Sequence, residues 1–198
     1  MNKKKIVTVC LVVALLAVCA IGGSLAYFTD TDTKDNTFTV GNVNIELTET
    51  EWVEDSIANP GVAVDKNPIV KNIGENEAWV RVNVTISDAA AFKAAMEAHN
   101  ITDLATIFAG HNESYWKRAS INEDAEADTI TYSYYYKEKV AKNASTQPIF
   151  TSVTIPAAFT SAEMAEIGDD FTIKVTADAI QTAGLATVEA AFAAFDAE

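Results

Sequence analysis

Cysteine is nearly absent from this chain, and the two that occur, Cys10 and Cys19, lie in one apolar run near the N-terminus. The chain after that run therefore has no thiol for a disulfide, a metal thiolate or a cysteine nucleophile. Histidine is equally scarce, since only His99 and His111 occur, and neither belongs to a His-Glu-x-x-His helix. The usual zinc protease motif is thus missing. No Gly-x-Ser-x-Gly elbow is present either. We predict no catalytic residue, no metal ligand and no cofactor.

Basic residues are also few: 14 lysines and arginines stand against 28 aspartates and glutamates, a net charge of −14. Such a field repels nucleic acid and anionic membrane surfaces, so neither is expected as a partner. No repeat of fixed period and no long linker interrupt the chain, and its length suits one domain.

The first 26 residues have the order of a secretory signal peptide. Lys3 to Lys5 form a positive cluster, and Ile6 to Ile21 form a run that is apolar apart from Thr8. Ser24 and Ala26 then place small side chains at the third and first positions before a cut. We predict cleavage between Ala26 and Tyr27, with membrane contact only through the signal peptide. Cleavage removes three lysines and no acidic residue, which leaves 11 basic against 28 acidic residues and a net charge of −17.

Two other readings of this segment stay open. In the first, the apolar run is a retained anchor, although its 16 residues fall short of the ~20 that a spanning helix needs. In the second, Cys19 is lipidated, although Val18 stands where such sites have a small residue.

After the signal peptide, the pattern predicts a polar, extended leader followed by strands. Residues 27–36 are rich in Thr and Asp and show no helical period. Phe38 and Val40 begin an alternation that resumes at Val43, with a bend predicted at Gly41. The aspartates of the leader (Asp30, Asp32 and Asp35) resemble the start of a calcium loop but lack its glycine and final glutamate, so only a looser Ca²⁺ site stays open.

The pattern of the remaining residues, through residue 198, predicts a mainly β domain. Residues 69–72 and 79–86 read as two antiparallel strands joined by a tight turn. Residues 114–120 and 129–140 read as two more, with the turn between them at residues 122–128, and residues 171–180 as another. Apolar residues recur at helical spacing in Ser87 to Gly110 and again after Gly184. We expect a β-sandwich of jelly-roll type, residues 27–198, with helical insertions and a C-terminal helix.

Two segments around the predicted cleavage site carry a family resemblance. Residues 22–30 read GGSLAYFTD and residues 34–41 read KDNTFTVG. With a small-residue cleavage site, an aromatic directly after it and Lys-Asp-x-Thr-Phe before a strand, the chain resembles the TasA/camelysin family of exported proteins. The resemblance continues more weakly through residues 69–84 and 134–184.

The resemblance implies a jelly-roll subunit of extracellular biofilm matrix fibres, placed in the matrix or on the surface of a bacterium. A SipW-type signal peptidase would cleave it, an accessory protein could anchor it, and the subunits would self-assemble. In that scheme residues 27–40 of one subunit complete the sheet of its neighbour, with Tyr27, Phe28, Phe38 and Val40 as the contacting side chains. An exposed sheet edge accepts such an extended segment.

Two alternatives from other classes remain. A secreted camelysin-type metalloprotease would require His99, His111 and carboxylates to converge in space. A monomeric binding module for the cell surface would need an exposed aromatic patch, for which Tyr132, Tyr134 and Tyr136 are the candidates.

Overall fold

The computed structural model describes residues 43–50, 59–168 and 171–197. Every described residue belongs to one compact unit, which begins at Val40. Among these residues, no helix is both long enough and apolar enough to cross a membrane.

The described residues form nine strands, all paired antiparallel. In chain order they are β1 (Ile45–Glu49), β2 (Ala63–Asp65), β3 (Pro68–Asn72), β4 (Ala78–Ile86), β5 (Phe108–Ala109), β6 (Trp116–Asp124), β7 (Thr129–Tyr136), β8 (Ser152–Thr154) and β9 (Ile173–Gln181). The helices are α1 (Ala89–Ala98), a 3₁₀ helix (Leu104–Ile107), α2 (Ser161–Ile167) and α3 (Val188–Phe195).

The largest sheet has four strands in the order β6-β7-β4-β9. Its central strand β4 alternates valines with polar residues, and Val80, Val82 and Val84 are at most 1% exposed. This face is called the core face. The opposite, outer face carries Trp79, which packs with Phe192 of α3. The core face of β4 is lined by buried apolar residues alone, whereas the outer face combines Trp79 with the half-buried polar residues Arg81, Asn83 and Thr85.

Two smaller sheets lie against the core face. One joins β2, β8 and β5, and the other joins β1 and β3. Val70 of β3 and Val153 of β8 belong to the same buried cluster as the β4 valines, and α1 adds Phe92 and Met96. The predicted mainly β fold with helical insertions and a C-terminal helix is confirmed, and the antiparallel sheets are consistent with a β-sandwich.

The predicted hairpin between residues 69–72 and 79–86 is wrong. β3 pairs with β1, whereas β4 pairs with β7 and β9. The reason is the fully buried Asn72, whose side-chain amide donates to the Asn76 and Val140 carbonyls while its oxygen accepts from Gly74 N–H. These bonds hold residues 73–77 as a crossing between sheets.

Two further expectations need correction. The predicted turn at residues 122–128 is shorter, because β6 continues to Asp124, whose side chain accepts from the N–H groups of Glu126 and Ala127. The three tyrosines of β7 do share one face, but it is the core face. Tyr132, Tyr134 and Tyr136 are only 1%, 4% and 5% exposed, so they form no surface patch.

Helix α2 was not predicted from the sequence, although a signal for it exists. Thr160 and Glu163 form a capping box, in which the Thr160 side chain accepts from Glu163 N–H and the Glu163 carboxylate accepts from Thr160 N–H. A Thr-x-x-Glu spacing is the sequence signature of such a helix start.

Candidate functional site

The predicted site residues fall before the first described residue. Ser24, Ala26 and Tyr27 of the cleavage site, and Phe28, Phe38 and Val40 of the donor segment, therefore lie outside the described residues, as do the aspartates of the leader. Their roles stay predictions. The strand expected to follow them is observed as β1, where Ile45 and Leu47 pack against the core.

His99 ends helix α1 and bridges it to α2. Its Nε2 lies 3.0 Å from Glu163 Oε1, and its ring stacks on Phe159 at a centroid distance of 5.6 Å. Hydrogen bonds from the Thr160 N–H, the Thr160 hydroxyl and His99 lower the pKa of Glu163 to about 2. The carboxylate is thus held ionised by groups that build the helix start.

His111 occupies a different environment. It follows Gly110, whose φ is +71° and where an added Cβ would lie 2.3 Å from Thr151 Oγ1, so only glycine fits this approach. The His111 Nδ1 lies 2.9 Å from the Ile149 carbonyl oxygen. Because a carbonyl only accepts, Nδ1 carries the proton in this arrangement. The ring also packs against Tyr134 at 5.1 Å.

A cleft of about 470 Å³ opens beside His111. Its charged lining combines three cations with two carboxylates: Lys117, Arg118, Lys137, Asp103 and Glu113. Arg118 Nη1 lies 2.7 Å from Asp103 Oδ2. The two carboxylates offset two of the three positive charges, so the lining does not present a strong field of one sign.

Tyr134 also lines this cleft, and its hydroxyl does not supply a base at neutral pH. Burial raises the pKa of Tyr134 to about 12. Burial likewise raises the pKa of the neighbouring Tyr132 to about 12. Sequence reasoning missed the pairing of Arg118 with Asp103, because the residues come from a strand and from the cap of the 3₁₀ helix.

The two histidines do not meet the requirement of a metalloprotease site within the described part of the chain. His99 contacts Glu163 and Phe159, whereas His111 contacts Ile149 and Tyr134. Across residues 43–50, 59–168 and 171–197, no group of three or more His, Cys, Asp or Glu side chains could hold a metal ion.

The sheet edges are the remaining functional feature of the described body. Strands β6 and β9 end the four-stranded sheet, each with a hydrogen-bonded strand on one side among the described residues. All eight residues from Lys117 to Asp124 in β6 are exposed. An edge of this kind has backbone groups directed away from its own sheet, which another strand can pair with.

The comparisons with known proteins add one positive finding. A family model described as camelysin metallo-endopeptidase matches residues 2–107. The match covers more than half of the 198 residues and runs from the N-terminal apolar run to the end of the 3₁₀ helix. No curated protein matches the chain, and no solved structure does.

Proposed function

The chain belongs to the TasA/camelysin family, and on this premise we propose that it is a secreted structural protein, a subunit of extracellular biofilm matrix fibres. Proteins of this family are typically extracellular or on the cell surface. The proposed subunit is released by a SipW-type signal peptidase, assembles with further copies of itself, and catalyses no reaction.

The observation that carries this proposal is the core of the described residues, whose buried members extend from Val70 to Ile167. Residues 27–36, the first part of the predicted donor segment, precede this core in the sequence. A body with such a core does not need residues 27–36 to bury its apolar side chains, which supports a role for those residues in a neighbouring subunit.

Strand addition is the binding mode that suits such a segment. Main-chain hydrogen bonds to an open sheet edge supply affinity, and alternate side chains in pockets set the register. In the proposed fibre Phe28, Phe38 and Val40 occupy those pockets. Strands β6 and β9 are the edges of the largest described sheet, and the donor is proposed to add at one of them.

The test is assembly of residues 27–198 with and without the leader. We expect fibres by electron microscopy from the intact form, and a soluble monomer that melts cooperatively after deletion of Tyr27 to Asn36. A peptide of residues 27–40, added in excess, should stop fibre growth because it occupies the acceptor edge without offering one.

Single substitutions supply the matched controls. Phe28→Asp should reduce assembly, because a charge replaces a pocket side chain, whereas Asp30→Asn in the same segment should leave assembly unchanged. Phe38→Asp should weaken both assembly and the fold, because Phe38 is predicted to begin the subunit's own first strand. Fibres of normal appearance from the truncated form would rule out donor-strand assembly and require a side-by-side interface.

A metalloprotease is the second candidate, favoured by the description of the matching family model. Its test is hydrolysis of a casein substrate by the purified protein with Zn²⁺ supplied. Activity that is abolished by a chelator and by either His99→Ala or His111→Ala would overturn the structural proposal. Equal background activity in the unsubstituted protein, His99→Ala and His111→Ala would support the structural proposal.

A further inference from the structure

The exposed edge strand β6 has a charge pattern that is complementary to itself when reversed. Its N-terminal half carries Lys117 and Arg118, and its C-terminal half carries Glu123 and Asp124. Two copies of such a strand placed antiparallel bring the cations of each copy to the anions of the other. A parallel arrangement would instead put like charges side by side, which is destabilising.

A β-bulge in this strand decides which register can form. The pairing of β6 with β7 shifts by one residue between Arg118 and Ser120, so Ala119 has no partner of its own. Residues directly opposite in an antiparallel pair share a face. Arg118 stands opposite Tyr134 and Glu123 opposite Ile130, so both belong to the core face.

The remaining positions follow from the same register. Ile121, opposite Tyr132, is also on the core face, whereas Lys117, opposite Tyr135, is on the outer face. Ser120, Asn122 and Asp124 share the outer face with Lys117, because they stand opposite alternate residues of β7. In a regular strand Lys117 and Asp124 would lie on opposite faces. The bulge between them brings both to the same face.

We propose that β6 pairs antiparallel with β6 of a second copy of this chain, with Ile121 of both copies on the two-fold axis. Counting outward from Ile121 and passing over the bulged Ala119, Asn122 meets Ser120, Glu123 meets Arg118, and Asp124 meets Lys117. The two residues of each pair then lie on the same face of the sheet. In both charged pairs a cation stands opposite an anion. The two four-stranded sheets become one continuous sheet of eight strands.

The exposure of Ile121 supports this centre. Its side chain is 48% exposed, one of few large apolar side chains so exposed among the described residues. Lysines and bulges usually protect an edge from pairing, because most registers then bring like charges or opposite faces together. The register centred on Ile121 avoids both. Registers centred on Ser120 or Asn122 also avoid them, but only the register centred on Ile121 unites opposite charges. The interface is isologous, so it makes a closed dimer and not an open chain.

The first test is a disulfide trap in residues 27–198, a form that has no cysteine of its own. Opposite Cα atoms in an antiparallel pair are ~4.5–5.5 Å apart, a separation that a disulfide spans. Ile121→Cys should therefore form a linked dimer under mild oxidation about tenfold faster, or more, than Val62→Cys, because pairing holds the two thiols together. Val62 is the matched control, since it is 53% exposed and lies outside β6. Equal rates for the two variants would overturn the proposal.

Charge exchange tests the register. Lys117→Glu should slow cross-linking of Ile121→Cys, and adding Asp124→Lys should restore the rate, since the signs are then exchanged in both copies. Both forms lose the pair of Lys117 with Glu189 within the chain, so that loss cannot explain a recovery. Unchanged melting temperatures would show that the fold is retained. A double variant as slow as Lys117→Glu alone would contradict the register.

Deletion of Tyr27 to Asn36 separates this dimer from the fibre. The trapped dimer should persist without the leader, whether or not fibres form. If the deletion abolishes cross-linking at Ile121, β6 contacts the leader of another subunit instead, and the self-paired interface is wrong.

Discussion

Strands β4 and β6 have nine residues each and lie in the same sheet, both paired with β7, yet they are held in place differently. In β4 every residue on the core face is buried, whereas in β6 only Trp116 is buried. The central strand has neighbours on both sides and layers on both faces. Among the described residues the edge strand has one hydrogen-bonded neighbour, and its side chains after Trp116 are exposed to water.

Ionic contacts link the edge strand to the helices around it. Arg118 pairs with Asp103 at the start of the 3₁₀ helix, and Glu123 pairs with Lys93 of α1 at 2.9 Å. Lys117 pairs with Glu189 of α3 at 2.8 Å. Burial therefore stabilises the centre of the sheet. At its edge, charge pairs that are screened by water contribute little. The same substitution should therefore lower the free energy of unfolding more in β4 than in β6.

The largest difference is expected between two isoleucines on the core face. Ile86 in β4 is fully buried, and its truncation to Ala should cost about 2–5 kcal/mol, because it removes buried methyl groups and leaves a cavity. Ile121→Ala in β6 should change the free energy of unfolding by less than about 0.5 kcal/mol in the monomer. Urea unfolding of both variants measures the contrast, and similar losses would mean that β6 is covered in solution.

A smaller difference is expected between two arginines. Arg81 of β4 bonds Asp178 and Asp196, and its guanidinium lies 4.6 Å from the Phe192 ring centroid. Arg81→Met should cost about 1.5–3 kcal/mol, the range for hydrogen bonds to charged groups. Arg118→Met should cost about 0–1 kcal/mol, because its ion pair is exposed. Thermal melts in low and high salt test this, and salt should reduce only the smaller loss appreciably.

The smallest difference between the two strands is a dependence on pH that the ion pair of Arg118 has and the burial of Ile86 lacks. Burial by itself raises the pKa of Asp103. Hydrogen bonds from Arg118 and from Ala105 N–H lower it by a larger amount together, so the pKa lies below its usual range. A lowered pKa stabilises the fold above about pH 4, the usual pKa of aspartate, and the effect is lost as the pH falls through the lowered value.

The stability lost in Arg118→Met should therefore shrink, by less than about 1 kcal/mol, as the pH falls below about 4. The stability lost in Ile86→Ala should stay the same over that pH range, because this substitution removes no titrating group. Urea unfolding at a series of pH values measures both. A deficit of Arg118→Met that is constant with pH would show that Asp103 contributes no ionic stabilisation.

Short-range pattern accounted for the elements that alternate or repeat clearly. The valines of β4 and the 3–4 spacing in α1 and α3 predicted a strand and two helices that are observed. The alternation that predicted the last strand is observed as β9. Helix α2 could have been found from its Thr160 and Glu163 capping box. These signals act within one turn or one strand, so the order of residues is enough to detect them.

Contacts between distant residues were beyond such reasoning. The tyrosines of β7 show a shared face by their spacing, but spacing does not tell whether that face meets water or a second layer. His99 contacts Glu163, 64 positions later in the chain, because α1 and α2 pack together. The packing of these elements also keeps His99 away from Ile149 and Tyr134, which contact His111.

The sequence by itself determined the lack of thiols after the N-terminal run, the strongly acidic charge, the signal-peptide pattern and the mainly β class, because composition and local periodicity express these directly. Only the tertiary structure decided that β3 pairs with β1 and not with β4, that the tyrosines of β7 are buried, and that β6 forms an exposed edge. Strand partners and buried faces are set by the summed burial of residues far apart in the chain. Where a hairpin was expected, the fully buried Asn72 instead bonds groups of the crossing between sheets.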